Sequence, residues 1–233
     1  MDRRDFSTLL SSGLVSLLCP TCALARRRSL GCVRGAALGT PKLPTRLASS
    51  GHPDIDAKCL KEVESLNRVF DVRAAFGFYE DVEGKQGNAL AYGYAFDKAY
   101  PDGTVLFGKR LAANVLREST SFGLIGVMGH EWGHIRQFKE GLKVGWDVHY
   151  ELSADYLSGW YLSHIAAATD ANREAIMTVF QGLGDTDFTD ADHHGTPSQR
   201  SKMFSFAYTL KGDGSTANLT AKEALDQSLS FFN

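Results

Sequence analysis

The sequence predicts an α+β fold that is mostly helical and includes a small, mainly antiparallel sheet. Residues 54–70, 122–138 and 151–168 carry apolar side chains at helical spacing. Residues 74–107 hold three short runs rich in aromatic and β-branched residues, separated by turn-forming glycine, proline, asparagine and aspartate. With 233 residues, 43% of them hydrophobic, the chain is long enough for one domain with a sizeable core.

The first 25 residues are typical of an export signal. Arg3 and Arg4 precede an apolar stretch at residues 6–18, and residues 23–25 have the small-x-small pattern after which a signal peptidase cuts. The arginine pair resembles a twin-arginine signal, so we expect export to the bacterial periplasm or secretion, with the twin-arginine route as the expected pathway. A cytosolic amphipathic helix or a membrane anchor is the alternative interpretation.

Residues 26–53 contain scattered glycines and three prolines without a sustained period. This pattern predicts an N-terminal arm that is mobile or draped over the surface of a single domain at residues 54–233. Cys32 in the arm and Cys59 could form a disulfide in an oxidising compartment, and the sequence leaves this open.

Charge and hydropathy give no indication of a nucleic-acid partner or of an integral membrane segment in the mature chain. The formal net charge is −2, and no block of lysine and arginine follows residue 28, so there is no electrostatic footprint for a nucleic acid. No stretch of the mature chain approaches 18 apolar residues, so no integral membrane segment is expected there. The oligomeric state is not indicated.

The elements before the central motif follow from local patterns. A helix is expected at residues 54–70, with Asp54 capping its start. A shorter helix is expected at residues 109–117. The three strands between these helices are predicted at residues 74–79, 89–96 and 104–107.

The predicted helix at residues 122–138 contains the motif HExxH, formed by His130, Glu131 and His134. Residues four apart on a helix are separated by about 40° around the axis and about 6 Å along it, so both imidazoles can address one ion. Glu131 would lie beside the open coordination position, as a general base for a zinc-activated water and then as an acid. The motif predicts one Zn²⁺ per chain.

Four glycines interrupt this helix at intervals of three or four residues. Each costs about 1 kcal/mol in an isolated helix relative to alanine. Close approach of a neighbouring helix or strand along this small-residue stripe would offset that cost. The stripe consists of Gly123, Gly126, Gly129 and Gly133.

A third protein ligand is needed for a catalytic zinc site. The pattern HExxHxxGxxH fails, because Gln137 and Glu140 stand where it requires glycine and histidine. Glu151 is the better candidate, at the start of a second amphipathic helix, and Asp155 one turn later would accept a hydrogen bond from a ligand imidazole. Two competing ligands precede it, Asp147 and His149.

With HExxH and ExxxD in place, the chain resembles the gluzincin metallopeptidases, most closely the minimal soluble members of the Ste24/HtpX-like M48 group. Residues 88–91, Asn-Ala-Leu-Ala, resemble the Asn-Ala-Phe-Ala element that precedes the edge strand in that group, and residues 102–108 resemble the strand itself. The resemblance implies a zincin-like domain whose edge strand flanks the HExxH helix. That strand would bind an extended polypeptide by main-chain pairing through Thr104, Val105, Leu106 and Phe107.

A third segment, residues 194–200, is similar to the His-Pro…Arg stretch that follows the zinc ligands in that group. By this resemblance His194 would steady the oxyanion of the tetrahedral intermediate, and Arg200 would order the site through a carboxylate. A polar loop entering a helix, with Thr196 as the cap and Pro197 in the first turn, is compatible with the same residues.

The expected function is zinc-dependent endopeptidase activity, with a polypeptide as substrate. Two alternatives remain open: a zinc-binding, chaperone-like module that grips polypeptides without turnover, and a hydrolase of a non-peptide amide. An intact Glu131 favours an enzyme, because a binding module does not need a general base.

Overall fold

The computed structural model describes residues 31–34, 44–81, 88–119, 121–142, 148–164, 169–183, 195–210 and 218–232. Within these ranges the chain is mostly helical and contains one small sheet. The strands are β1 (Gly31–Arg34), β2 (Ala74–Tyr79), β3 (Asn88–Tyr92) and β4 (Gly103–Gly108). The helices are α1 (Pro53–Val69), α2 (Lys109–Glu118), α3 (Ser121–Lys139), α4 (Val148–Ser163), α5 (Asp170–Leu183), α6 (Pro197–Thr209) and α7 (Ala221–Leu229).

The sheet is mixed, and the prediction of a mainly antiparallel sheet is wrong. Its strand order is β1-β3-β4-β2. β1 pairs with β3 in parallel, β2 pairs with β4 in parallel, and β3 pairs with β4 in antiparallel fashion. Two of the three pairings therefore join strands that are distant along the chain, which the short alternating runs do not reveal.

The prediction that residues 104–107 form the edge strand is also wrong. β4 lies between β3 and β2, with Val105 opposite Phe76 on one side and Ala91 on the other. Because both of its backbone edges are used, Thr104, Val105, Leu106 and Phe107 cannot pair with a substrate main chain. All four residues are buried.

The two faces of the sheet contact different groups of side chains. Ala89 and Ala91 of β3 belong to the main hydrophobic core, whereas Leu90 and Tyr92 of the same strand lie in a second, smaller cluster with residues of β2 and β4. This alternation is the period of a strand. On the core face, Phe76 lies against Trp132 of α3, with ring centroids 6.2 Å apart. The helix with the HExxH motif therefore packs directly under the sheet.

Helix α4 lies at the centre of the helical layer, packed against α3 and α6. Every residue from Glu151 to Ser163 is buried, so the predicted amphipathic character of this helix, with one face in solvent, is wrong. It begins at Val148, three residues before the predicted start, which places Glu151 in its first turn.

The glycine stripe of α3 lies where neighbouring elements approach closely, as predicted. A Cβ built on Gly133 would lie 3.1 Å from the Cα of Ala154, and one built on Gly129 would lie 3.3 Å from the Cα of Ser158. Both contacts are with the backbone of α4. The absent side chains therefore allow the two helices that carry the predicted ligands to come close together.

The ends of the helices follow local signals with one exception. Thr196 accepts a hydrogen bond from the Gln199 amide, and Pro197 begins α6, as predicted. Gly141 has φ of +72° directly after α3. At α1 the predicted cap is wrong: the N-cap is His52, and Asp54 lies in the first turn.

The described parts of the arm lie on the sheet. Residues 31–34 form β1, and Leu47 pairs with Phe78 of β2 through two backbone hydrogen bonds. Cys59 is a buried, free thiol whose pKa is raised to about 12, chiefly by burial. The predicted export signal at residues 1–25 lies outside the described residues. Among the described helices, none has the length and apolar character required to cross a bilayer.

Candidate metal centre

Helices α3 and α4 bring together the three predicted metal ligands. His130 and His134 are on α3, Glu151 is on α4, and all three are buried. The Nε2 atoms of the two histidines are 3.0 Å apart. The carboxylate oxygens of Glu151 lie 3.4 Å from each of these nitrogens, Oε2 from His130 and Oε1 from His134. This buried group could hold a metal ion.

The hydrogen bonds of the outer ring nitrogens define the tautomers. Nδ1 of His130 lies 2.8 Å from Oδ1 of Asp155, and two acceptors would repel at that distance, so Nδ1 carries the proton. Nδ1 of His134 lies 2.9 Å from Oε1 of Gln137 and donates to it. The Gln137 amide is oriented by its own Nε2, which donates to the carbonyl of Tyr150. In each neutral ring, Nε2 therefore carries a lone pair.

This arrangement fits a tetrahedral cation. Two imidazole lone pairs and one carboxylate converge on the same space, where without a cation they would repel one another. Ligands about 2.0 to 2.1 Å from a tetrahedral zinc ion are separated from each other by about 3.3 Å. The two Nε2 atoms are 3.0 Å apart, and each lies 3.4 Å from a different oxygen of Glu151. One donor atom from each residue lies within 4.8 Å of the other two, so this donor set could hold one divalent metal ion.

The buried charges agree with this conclusion. Glu131, Glu151 and Asp155 are buried together with one guanidinium, that of Arg200. Buried carboxylates are stabilised by pairing or by coordination to a metal ion, so a divalent cation would be favourable in this cluster.

Comparisons with protein-family models, with curated proteins and with solved structures found no match. The resemblance to gluzincins therefore stays a prediction from the motifs. The geometry of the side chains is the basis for a functional proposal.

Asp155 is held by a two-pronged ion pair from α6. Nε of Arg200 donates to Oδ2 at 2.8 Å, and Nη2 donates to Oδ1 at 2.7 Å. Both residues are fully buried. Nη2 of Arg200 also lies 3.9 Å from Oε2 of Glu151. The guanidinium therefore holds the carboxylate that orients His130, and it also lies near Glu151.

Glu131 is buried beside the ligand histidines on α3. Its charge contributes to the raised pKa values of two tyrosines in the sheet. The pKa of Tyr92, at the end of β3, is raised to about 12, first by burial and then by the charges of Tyr94 and Glu131. Burial is also the largest cause of the raised pKa of Tyr79, with a smaller contribution from Glu131.

Gln137 is the site residue that the sequence analysis missed. In the sequence, Gln137 stands out only because it occupies the position where the pattern HExxHxxGxxH requires glycine. Its position three residues after His134, on the same side of the helix, was the available signal. Glutamine is far more often a surface residue than a buried one, so this spacing alone is weak evidence.

The remaining predicted residues lie away from the cluster or outside the described residues. The ring of His149 stacks on Phe232, with centroids 4.5 Å apart, and it does not belong to the metal-binding group. Asp147 and His194 lie outside the described residues.

Proposed function

We propose that this chain is a zinc-dependent endopeptidase that hydrolyses peptide bonds with Glu131 as the general base. One observation carries the proposal: the Nε2 atoms of His130 and His134 and the carboxylate of Glu151 form a buried group that could hold a metal ion, with Glu131 on the same helical turn as the histidines. A metal-binding group next to a carboxylate that does not ligate is the arrangement typical of metal-assisted hydrolysis.

Zinc is the metal that this donor set favours. Two imidazoles and one carboxylate suit zinc, whereas magnesium and calcium prefer oxygen ligands. When bound, zinc would act as a Lewis acid that polarises the scissile carbonyl and acidifies a water molecule. Three protein ligands would leave a position open for this chemistry, which is typical of catalytic sites and not of structural ones.

The side chains of the chain perform the proton transfers. Glu131 accepts a proton from the attacking water while the water oxygen forms a bond to the peptide carbonyl carbon. Glu131 then donates that proton to the amide nitrogen as the C–N bond breaks. Asp155 keeps the proton of His130 on Nδ1, and Gln137 does the same for His134. Both rings thereby stay oriented with Nε2 toward the site.

Arg200 has a supporting role in this proposal. Its guanidinium donates two hydrogen bonds to Asp155, and Nη2 also lies 3.3 Å from Nδ1 of His130 and 3.9 Å from Oε2 of Glu151. It therefore orders two carboxylates of the site. The expected role of His194 at the oxyanion stays a prediction.

The substitution Glu131→Gln tests the proposal. It removes the base while leaving both imidazoles and Glu151 unchanged, so the variant should retain one zinc per chain. Hydrolysis of unfolded casein should fall by about 10²- to 10⁴-fold, the range typical of a lost general base. Zinc content is measured by atomic emission, and Glu64→Gln, on the exposed surface of α1, is the matched control.

The alternatives give different results in the same experiment. A binding module without turnover predicts zinc in both proteins and no casein cleavage in either. A non-peptide amide hydrolase also predicts uncleaved casein, together with loss of Glu131-dependent hydrolysis on an amide substrate other than a peptide. Equal casein hydrolysis by the wild type and Glu131→Gln would refute the assignment of the base.

A further inference from the structure

Strand β3 lies beside the proposed catalytic turn of α3. A Cβ built on Gly93, just after β3, would lie 2.8 Å from the ring of Phe138, and one built on Gly103, opposite the end of β3, would lie 2.7 Å from the side chain of Ile135. Glu131 is one turn before Ile135, which is about 6 Å along the helix and about two residues along a strand. This places Glu131 alongside the second half of β3.

Both edges of β3 are occupied. β4 pairs with one edge and β1 with the other, in the register Gly31 to Asn88 through Arg34 to Ala91. Because a strand has only two edges, an extended polypeptide cannot add to β3 while residues 31–34 are in place. The N-terminal arm therefore occupies the remaining edge of β3, the strand that packs beside α3.

Strand β1 has three features of a weakly held strand. It has four residues, its pairing with β3 is parallel, and glycines stand at its first residue and directly after it, at Gly31 and Gly35. Short parallel pairings are less stable per residue than antiparallel ones, and glycine loses more conformational entropy on ordering than any other residue.

The arm is also anchored elsewhere, independently of β1. The Leu47 backbone pairs with Phe78 on the opposite side of the sheet, and Nε of Arg46 donates to the carbonyl of Phe76 at 3.0 Å. Departure of residues 31–34 from β3 would therefore leave these contacts intact. The same arm can release one edge of the sheet while it remains attached at the other.

We propose that residues 31–34 are a built-in competitor that occupies the outer edge of β3, and that a polypeptide substrate pairs with β3 only after this segment leaves. The proposal rests on the proposed endopeptidase function for its consequence, inhibition of hydrolysis. It rests on the sheet pairing alone for the competition itself. The competing ligand is any extended polypeptide segment, since main-chain pairing tolerates many side chains.

Proline substitutions in the full-length chain test the competition. Alternate residues of a parallel strand face the same neighbour, so one of any two consecutive residues donates to β3. The double variant Cys32→Pro with Val33→Pro therefore removes a hydrogen bond of the pairing whichever residue donates it. Ala36→Pro with Ala37→Pro, two prolines outside the strand, is the matched control.

The first readout is binding of a labelled peptide. The probe is a fluorescein-labelled peptide with the sequence of residues 29–36 carrying Cys32→Ser, and its affinity is measured by fluorescence anisotropy. A tethered segment competes at an effective concentration of the order of millimolar. The Cys32→Pro/Val33→Pro variant should therefore bind the peptide at least tenfold more tightly than the wild type and the control. Amide hydrogen exchange in residues 88–92 should be faster in this variant before peptide is added.

The results separate this proposal from the proposed function. Equal peptide affinities in the three proteins, or unchanged exchange in residues 88–92, would overturn the competition. If the affinities differ as expected, hydrolysis of unfolded casein by the zinc-loaded proline variant should rise at least tenfold. Measurable but equal casein hydrolysis in all three proteins would overturn the inhibitory role of residues 31–34 and would still support the endopeptidase function. Absent hydrolysis in all three, with the affinity difference retained, would refute the endopeptidase function and support the arm as a competitor at a polypeptide-binding edge.

Discussion

At the metal centre, two hydrogen bonds determine which atoms of the histidines face inward. Asp155 and Gln137 each accept the Nδ1 proton of one imidazole, so both Nε2 lone pairs point at the same space. The acceptors differ in character. Asp155 is charged and is held by Arg200, whereas Gln137 is neutral and is held by the carbonyl of Tyr150. Each ligand is thus oriented by a separate network.

Substitution of Gln137 should weaken metal binding. Gln137→Leu removes the acceptor of the His134 proton, and loss of such an orienting partner typically costs about 10- to 100-fold in metal affinity. Gln137→Glu keeps an acceptor at the same position and should retain more of the affinity. Competition with a chromophoric zinc chelator measures both. Wild-type affinity in Gln137→Leu would show that this hydrogen bond does not orient the ligand.

The residues of the site were partly predictable from the sequence. The spacing of His130 and His134 places them on one helical face, and the spacing of Glu151 and Asp155 does the same on the next helix, because both patterns are local. The role of Gln137 depends on which way an amide points between two helices. No local pattern encodes that orientation, and it follows from the carbonyl of Tyr150 on α4.

At the scale of elements, the approach of helices through glycines positions the site. α4 contacts α3 through Gly129 and Gly133, and it contacts α6 through Gly159, where an added Cβ would overlap the backbone carbonyl of Phe204. The ion pair between Asp155 and Arg200 joins the same two helices, α4 and α6. Separation of these helices would therefore disturb the support of His130.

Two glycine substitutions separate packing from helix propensity. Gly159→Ala should destabilise the protein by about 2 kcal/mol, because a backbone carbonyl cannot move aside as a side chain can. Gly126→Ala, on α3, adds a Cβ 2.9 Å from Cγ2 of Ile176, a side-chain atom that can shift more easily than a backbone carbonyl, and should destabilise the protein less than Gly159→Ala. Urea unfolding measures both free energies. Similar values for the two variants would contradict the role assigned to the contact between α4 and α6.

Helices α1, α2 and α3 were predicted to within one residue at each end because their signals are local. The capping residues of α6 and the glycine after α3 are fixed by short-range geometry. The amphipathic character of α4 was mispredicted because burial of its polar residues depends on tertiary contacts. Its polar residues, such as Ser153 and Ser158, are buried and hydrogen-bonded to Ser228 and to the carbonyl of Gly126. These partners lie on α7 and α3, so no local pattern in the sequence shows that the two serines are buried.

At the scale of the whole molecule, the sheet topology was the main feature that the sequence did not reveal. Short strands such as β3 and β4 have recognisable composition, but their partners and directions depend on contacts between distant segments. The pairing of β1 with β3 joins residues more than 50 positions apart. It covers the second edge of β3 and makes the N-terminal arm part of the sheet.

The metal centre also depends on the packing of the whole molecule, because its residues come from three helices. The ligands lie on α3 and α4, and Arg200 reaches them from α6. A cation shared by His130, His134 and Glu151 would link α3 to α4 at the centre of the fold.

The occupancy of this position is tested most directly by anomalous scattering at the zinc absorption edge, from crystals of the full-length protein grown with zinc. We expect one anomalous peak per chain, about 2.0 to 2.2 Å from Nε2 of His130, from Nε2 of His134 and from a carboxylate oxygen of Glu151. A zinc peak coordinated by other residues, or density that shows Glu151 turned away from both imidazoles, would contradict the proposed metal centre.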